Sequence, residues 1–188
     1  MTPILFFLFL LLFLPTQLGY HFWPDFAFVA GLRVDYLSPT IYFTDILLVI
    51  TLVSWGLSTV SGIKFQISTI RNYWIFPALF GVCIISAYLS KNQMAAAFGV
   101  IKYIELFLFG VFIARGVNLK SIWNIACILL SIGVLFESTL ALLQFYQQSS
   151  LGGIFWFFGE RTFTGQTPGI ANALLDGQLV LRPYGTFS

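Results

Sequence analysis

Two arginines toward the C-terminal end of the sequence have the chemistry to bind a phosphate. Arg161 closes the stretch SSLGGIFWFFGER, Arg182 lies in LVLRPYGTFS, and each follows an apolar run. The planar guanidinium of arginine donates paired hydrogen bonds that match phosphate oxygens. A lipid-linked diphosphate needs such groups beside an apolar groove for its tail. Ordinary roles stay open, because Arg161 can pair with its neighbour Glu160 and arginines are common at lipid interfaces.

Three more charged residues fall inside apolar segments. Lys102 and Glu105 are three residues apart, which places them on one face of a helix. A charge at the centre of a bilayer costs about 2.5–3.5 kcal/mol on insertion scales, so pairing is favoured. The two residues either form a helix-packing ion pair or line a polar cavity that opens to the outer face. Glu137 has no cation near it in the sequence, so it needs water or a partner from another helix, for which Lys102 is one candidate.

Polar residues form two stripes along the segment that contains Glu137. Gln144 and Gln148 follow Glu137 by seven and eleven residues, which puts them within about 40° of it around a helix. This stripe climbs toward the outer surface. Interhelical hydrogen bonding is the usual role of such side chains in membrane bundles, and lining a cavity is the alternative for Glu137. A second stripe, at seven-residue steps, contains Asn124, Ser131 and Ser138.

The composition requires most of the surface to face lipid. Of the 188 residues, 59% are apolar, 19% aromatic and 9% charged. A soluble domain averages about 25% charged residues. The net charge of +2 forms no basic block of the kind that binds nucleic acid. The lone His21 is too little for a metal site, and Cys83 and Cys127 lie in apolar runs that do not indicate a disulfide. We therefore expect no metal, no cofactor and no nucleic-acid partner.

Five apolar segments predict an all-α, polytopic integral membrane helix bundle, since a spanning helix needs about 20 mostly apolar residues. The first segment is short and stops at Pro15. Because no basic residue follows Met1 and the cleavage site is poor, a retained anchor that continues toward Leu18 is favoured over a signal peptide. Thr44 or Asp45 can cap the second helix. The predicted spans cover residues 2–18, 44–60, 73–89, 95–114 and 121–145.

The connecting segments decide the predicted orientation. Residues 61–72 and 115–120 form short loops that carry two cations each and no acid. The Lys and Arg counts of the two sides tie, but the positive-inside rule gives weight to short loops near helix ends. We therefore expect these loops and the N-terminus in the cytoplasm, with residues 19–43 and 146–188 outside. The loop cations are Lys64, Arg71, Arg115 and Lys120.

The outer segments are rich in aromatic residues, which favour the membrane interface. Gly152 and Gly153 break the fifth helix, after which residues 154–158 can lie in the interface plane. Residues 167–169 mark a turn, and Asp176-Gly177 between apolar residues is a hairpin signal. The predicted organisation is a transmembrane bundle over residues 1–145, followed by an extracytoplasmic segment, 146–188, with a short hairpin.

The sequence resembles a known bacterial superfamily at these outer residues. ESTLALLQFYQQSSLGGIFWFFGER followed by GQLVLRPYGTFS is similar to the O-antigen ligases and O-antigen polymerases. The closest likeness is to the branch of O-antigen ligase-related proteins, whose start resembles LPTQLGYHFWPDFAFVAGLRVDYLSPTIYFTDIL, so the likeness spans nearly the whole chain. In that family the arginine and glycine of such an RPYGTFS motif lead into a Pro-Asn pair that opens the next helix. This chain stops before that pair.

The resemblance implies a polytopic glycosyltransferase of the bacterial inner membrane. It would act on the periplasmic face in surface polysaccharide synthesis, including lipopolysaccharide, without a nucleotide sugar or metal. Its donor would be a glycan on undecaprenyl diphosphate. The acceptor would be the lipid A core for a ligase, or another lipid-linked repeat for a polymerase.

Site roles are implied at one position. Arg182 matches the family's arginine before the Pro-Asn helix, so diphosphate binding is carried over to it alone. The family's later arginine and its periplasmic histidine have no match, since His21 comes far too early. The family also uses more helices than this chain supplies. We therefore expect an N-terminal fragment that is inactive by itself.

Two other functional classes stay open. A membrane transporter or flippase would use Lys102, Glu105 and Glu137 as a midplane site, although no internal repeat in the sequence supports it. A non-catalytic membrane scaffold would need no site at all.

Overall fold

The structure, a computed structural model, describes residues 2–34, 37–60, 75–167 and 170–186. Within these residues the chain is mostly helical with a few short strands. Several sequence predictions lie outside the described residues: the cationic loop with Lys64 and Arg71, the first two residues of the third predicted span, and the Pro168-Gly169 turn.

Each of the five predicted spans overlaps a helix of the described residues. Two of the helices are long and apolar enough to cross a membrane, and the other three are shorter apolar helices. The membrane-capable helices are α4 and α5. The helices are α1 (Pro3–Phe13), α2 (Phe43–Val60), α3 (Ile75–Leu89), α4 (Gln93–Gly116) and α5 (Leu119–Gln147).

The first helix is shorter than predicted because a proline ends it. α1 stops at Phe13, whereas the prediction continued it to Leu18. A residue that precedes proline is disfavoured in helical conformation, so the helix ends before Pro15. Thr16 closes the turn, since its N–H donates to the Phe13 carbonyl at 3.0 Å and its hydroxyl donates to the same oxygen at 2.8 Å.

Side-chain caps define the starts of two other helices. Oδ2 of Asp45 accepts from the Tyr42 N–H at 2.7 Å, so the predicted Asp45 cap acts on the residue just before α2. Asn92 accepts from the Ala95 N–H at 3.2 Å and caps α4. Its Nδ2 also donates to the Phe26 carbonyl at 3.0 Å, which ties the short 3₁₀ turn Asp25–Ala27 to the start of α4.

The short strands pair in three two-stranded sheets within the described residues. In the third, β5 and β6 are antiparallel, and Leu175 faces Gln178 across Asp176-Gly177. Both turn residues have positive φ, 49° and 80°, as a two-residue hairpin turn requires. This confirms the predicted hairpin. The strands are β1 (Gly19–His21), β2 (Phe28–Val29), β3 (Leu32–Arg33), β4 (Thr40–Tyr42), β5 (Asn172–Leu175) and β6 (Gln178–Leu181), with β1 paired to β4 and β2 to β3.

The chain divides into two compact units. Unit 1 comprises Met1–Pro3, Tyr20–Ile41 and Leu48–Val117, and unit 2 comprises Ile4–Gly19, Tyr42–Leu47 and Asn118–Ser188. In unit 1, the fully buried ring of Phe112 meets Trp55 edge-on at 5.7 Å between centroids.

Unit 2 contains α1, α5 and the hairpin. Gly133 of α5 lets the end of the α1 segment approach closely, since a Cβ there would lie 2.6 Å from Cγ of Pro15 and 3.0 Å from the Leu12 carbonyl. This approach brings the residues after α1 alongside α5. The candidate site is built in unit 2.

Candidate functional site

Gln144 is the centre of a hydrogen-bonded cluster near the C-terminal end of α5, and its side chain is completely buried. Its Nε2 donates to the Gly185 carbonyl and to Oε1 of Glu160, both at 2.8 Å. Its Oε1 accepts from the Gly185 N–H at 2.9 Å and from the Tyr184 N–H at 3.2 Å. These bonds use all the donors and acceptors of a primary amide, so Gln144 is saturated.

Glu160 joins this cluster to the loop after α5. The residue is 2% exposed. Oε1 accepts from the Leu151 N–H at 2.8 Å as well as from Gln144, and Oε2 accepts from the Gly152 N–H at 2.7 Å. A carboxylate out of water is costly unless donors surround it, and three N–H groups do so here. The Glu160 side chain therefore closes the loop of residues 151–160.

Glu137 binds Thr186. Oε2 accepts from the Thr186 N–H at 2.9 Å and Oε1 from the Thr186 hydroxyl at 2.8 Å. The same hydroxyl oxygen accepts from the Gln17 N–H at 3.0 Å. Thr186 is 1% exposed, so this contact is buried. The sequence suggested water or a residue of another helix, such as Lys102, as the partner of Glu137. In these contacts the partner is Thr186 of the C-terminal segment.

The polar stripe of α5 therefore holds one segment along its length. Gln148 completes it, because its Oε1 accepts from the Leu181 N–H at 2.8 Å. We name Glu137, Gln144 and Gln148 the α5 clamp, and residues 181–186 the strap. The strap runs antiparallel to α5: its first residue bonds Gln148 near the helix end, and its last bonds Glu137, about 16 Å back along the axis.

Glycine is required at residue 185 of the strap because this residue lies directly against Glu137 of the clamp. Its φ is +64°, in the left-handed region that glycine adopts without steric cost. A Cβ at this residue would lie 2.5 Å from Oε2 of Glu137. No real Cβ approaches an oxygen so closely, so a side chain at residue 185 displaces the carboxylate.

The backbone of Arg182 is fixed by hydrogen bonds, and its side chain is exposed. Its N–H donates to the Ala171 carbonyl at 3.2 Å, and the preceding residue, Leu181, is 2% exposed. Tyr184 fixes the other side, since its hydroxyl accepts from the Ala171 N–H at 2.6 Å. Among the residues that the structure describes, the guanidinium of Arg182 has no hydrogen-bond or ion-pair partner. The fold thus fixes the Cα position of Arg182 and leaves the N–H donors of its guanidinium available.

Arg161 is brought to the same cluster. It directly follows Glu160, whose carboxylate shares the Nε2 group of Gln144 with the Gly185 carbonyl. Its side chain is exposed. The backbone segments that carry Arg161 and Arg182 are therefore tied to one buried amide.

Lys102 and Glu105 form a separate contact in unit 1. Nζ of Lys102 lies 3.2 Å from Oε2 of Glu105, with the side chains 28% and 13% exposed, and 5.6 Å from the centroid of the Phe98 ring. The two residues lie on one face of α4, as predicted, and form an ion pair there. Glu137 belongs to unit 2 and binds Thr186. The residues of the second predicted stripe, Asn124, Ser131 and Ser138, have exposed side chains.

Sequence reasoning missed three members of the cluster: Glu160, Gly185 and Thr186. The one available signal was an acid placed two residues after the aromatic run 154–158. His21 contacts Thr40 through Nδ1 at 2.9 Å and stacks on Trp23 at 5.9 Å. No group of three or more His, Cys, Asp or Glu side chains able to hold a metal occurs in the part of the chain that the structure describes.

No family model, curated protein or solved structure matches the chain. The functional argument therefore depends on the cluster and on the helices that carry it.

Proposed function

We propose that this chain is part of a bacterial inner-membrane glycan transferase of the O-antigen ligase and polymerase type. In this proposal Arg182 binds the diphosphate of an undecaprenyl-linked glycan, and the acceptor is a glycolipid or another lipid-linked glycan. The observation that supports it is the exposed Arg182 guanidinium on a strap whose backbone is fixed by the α5 clamp.

The length of α5 gives the heights of the site residues if this helix crosses the membrane. Its 29 residues span about 43 Å, whereas the hydrocarbon core is about 30 Å thick. Trp123 is exposed near the first turn, and tryptophan favours the membrane interface. With one boundary near Trp123, the other lies about 20 residues on, close to residue 143. Gln144 then lies at the boundary, and Glu137 lies about 9 Å inside it.

The clamp explains how a non-helical strap exists at this depth. Irregular backbone at membrane depth is stable only where the protein satisfies its N–H and C=O groups. Glu137 and Gln144 do this for residues 184–186, accepting from three N–H groups and donating to one carbonyl. The polar stripe is thus a support for the strap, and Glu137 is better described as a positioning residue than as a cavity-lining one.

If α5 crosses the membrane in this way, the height of Arg182 matches that of a lipid phosphate. Leu181 is bonded to Gln148 and Tyr184 to Gln144, so the Arg182 backbone lies between these two levels. That interval runs from the boundary to about 8 Å above it, and the headgroup layer is about 5–8 Å thick. A diphosphate joined to a membrane-embedded polyprenyl chain is found in the same layer.

The reaction gives this cation a role in the transition state. The hydroxyl oxygen of the acceptor forms a bond to the anomeric carbon of the donor glycan while the bond from that carbon to the diphosphate oxygen breaks, and the hydroxyl proton is released to solvent. Negative charge develops on the departing undecaprenyl diphosphate. A fixed guanidinium beside it stabilises that charge, and Arg161, tied to the same buried amide, supplies a second cation nearby.

Complementation tests the proposed function. In a ligase- or polymerase-deficient bacterium whose surface polysaccharide is restored by the wild-type gene that encodes this chain, the gene with Arg182→Ala is expected to fail to restore it, while the gene with Arg33→Ala restores it. Arg115→Ala, which removes an exposed arginine at the end of α4, is a further control. Normal complementation by Arg182→Ala would refute the role of this residue.

A further inference from the structure

The 3₁₀ helix Gly153–Phe158 divides its side chains between the protein and the outside. The rings of Phe155 and Phe158 pack on Phe136 of α5, with centroids 6.3 and 5.3 Å away. The remaining large side chains point outward. They are Ile154, Trp156 and Phe157, exposed by 66%, 62% and 66%.

Both ends of this segment are fixed. At its start, the Leu151 and Gly152 N–H groups donate to the Glu160 carboxylate. At its end, Gly159 has φ of +101° and lies so close to the Gln17 backbone that a Cβ would approach within 3.0 Å. We name residues 151–160 the finger. Its two ends are joined by the hydrogen bonds of Glu160 and form the base, and the exposed apolar residues between them form the tip.

The finger folds back along the apolar surface of α5. Phe136 precedes the end of α5 by eleven residues, so the packed rings lie about 16 Å back from that end. With the hydrocarbon boundary near residue 143, this level is about 10 Å below the boundary. The surrounding surface of α5 is also apolar and exposed, with Leu135 at 66% and Leu142 at 70%. The finger tip and this part of α5 thus both expose large apolar side chains.

We infer that the finger inserts into the lipid leaflet that surrounds the C-terminal end of α5, with Ile154, Trp156 and Phe157 in contact with acyl chains down to about 10 Å below the headgroups. Aromatic side chains favour this zone, and apolar faces of interfacial segments enter it to about 5–10 Å. Because Glu160 bonds to the Gln144 amide that also holds the strap, insertion of the finger fixes the height of Arg161 and Arg182 at the phosphate layer. The inference depends on α5 crossing the membrane and not on the proposed reaction.

Fluorescence quenching by brominated phospholipids tests this insertion. The full chain and its Trp156→Phe variant are placed in vesicles whose acyl chains carry bromine either near the headgroup end or near the terminal methyl. The difference in emission between the two proteins is the contribution of Trp156. Phe155, its neighbour, packs about 10 Å into a leaflet about 15 Å deep, so we expect the Trp156 contribution to be quenched at least as strongly by bromine near the terminal methyl as by bromine near the headgroup end.

Trp123→Phe supplies the matched control, since Trp123 has the same exposed fraction, 62%, near the other end of α5. Its contribution is also expected to be quenched by bromine near the headgroups. An unquenched Trp156 contribution, with Trp123 quenched, would overturn the inference because the finger would face water or protein. Quenching of Trp156 by bromine near the headgroup end alone, or no quenching of either tryptophan, would overturn it as well.

Discussion

Replacement of Gly185 by alanine should disrupt the contact between the strap and the α5 clamp. The added Cβ would lie 2.5 Å from Oε2 of Glu137, and the residue would keep a φ of +64°. Gly177 is the matched control, since it also has positive φ, +80°, but nothing lies within 4 Å of a Cβ placed there. Both substitutions carry the backbone cost of left-handed alanine, about 1–2 kcal/mol. Only Gly185→Ala adds a clash.

The size of the clash follows from what must move. Glu137 turns away and loses its bonds to the Thr186 N–H and hydroxyl, at 2.9 and 2.8 Å. Hydrogen bonds to a charged group contribute about 1.5–3 kcal/mol each, and water recovers part of that loss. We therefore expect Gly185→Ala to destabilise the strap by about 2–4 kcal/mol more than Gly177→Ala does. At about 1.4 kcal/mol per tenfold change, the strap opens about 30- to 1000-fold more readily.

Hydrogen–deuterium exchange read by mass spectrometry measures this opening in nanodiscs. In Gly185→Ala, the amides of residues 184–186 should exchange faster by that factor. In Gly177→Ala, the same amides should keep their protection, and only the hairpin turn should loosen. Equal protection of residues 184–186 in both variants would refute the reasoning that Glu137 and Gln144 hold the strap.

Two further substitutions test the cluster from its other sides. Gln144→Leu leaves the Tyr184 and Gly185 N–H groups and the Gly185 carbonyl buried without partners, which should lower the free energy of unfolding by at least about 3 kcal/mol in a thermal melt in detergent; an unchanged melting temperature would contradict the central role of Gln144. Glu160→Gln keeps the shape of the side chain but turns an amide N–H toward the Gly152 N–H, which should destabilise the finger by about 1–3 kcal/mol. Hydrogen–deuterium exchange of the residue 151 and 152 amides should therefore become faster. Unaltered exchange there would show that Glu160 does not close the finger.

The helix positions could largely be predicted from the sequence, because a run of apolar residues is a property of neighbouring residues alone. Apolar runs predicted all five, and the observed ends of α2, α4 and α5 lie within two residues of the predicted ones. The Asp176-Gly177 hairpin was predicted for the same reason, since a two-residue turn depends on adjacent residues. The end of α1 was wrong because Pro15 was given too little weight against the apolar residues around it.

The partners of the polar stripe were beyond sequence reasoning. The spacing of Glu137, Gln144 and Gln148 showed that they share a helix face, but their partners lie between 16 and 49 residues further along the chain. Periodicity reports which side chains point together and carries no information on which distant backbone meets them. Glu160 illustrates the limit: its neighbour Arg161 suggested an ion pair, whereas its carboxylate binds two backbone N–H groups and Gln144.

Binding of undecaprenyl diphosphate to the chain in phospholipid nanodiscs tests the central claim most directly. Because Arg182 is exposed, its replacement by alanine removes donors to the ligand without disturbing the clamp. Charge-assisted bonds contribute about 1.5–3 kcal/mol, so Arg182→Ala should weaken binding about 10- to 100-fold, while Arg115→Ala leaves it unchanged. Bulk phospholipid phosphates are present in every sample, so a simple lipid contact of Arg182 would give equal affinities. Equal affinity of the wild-type and Arg182→Ala proteins would contradict the account.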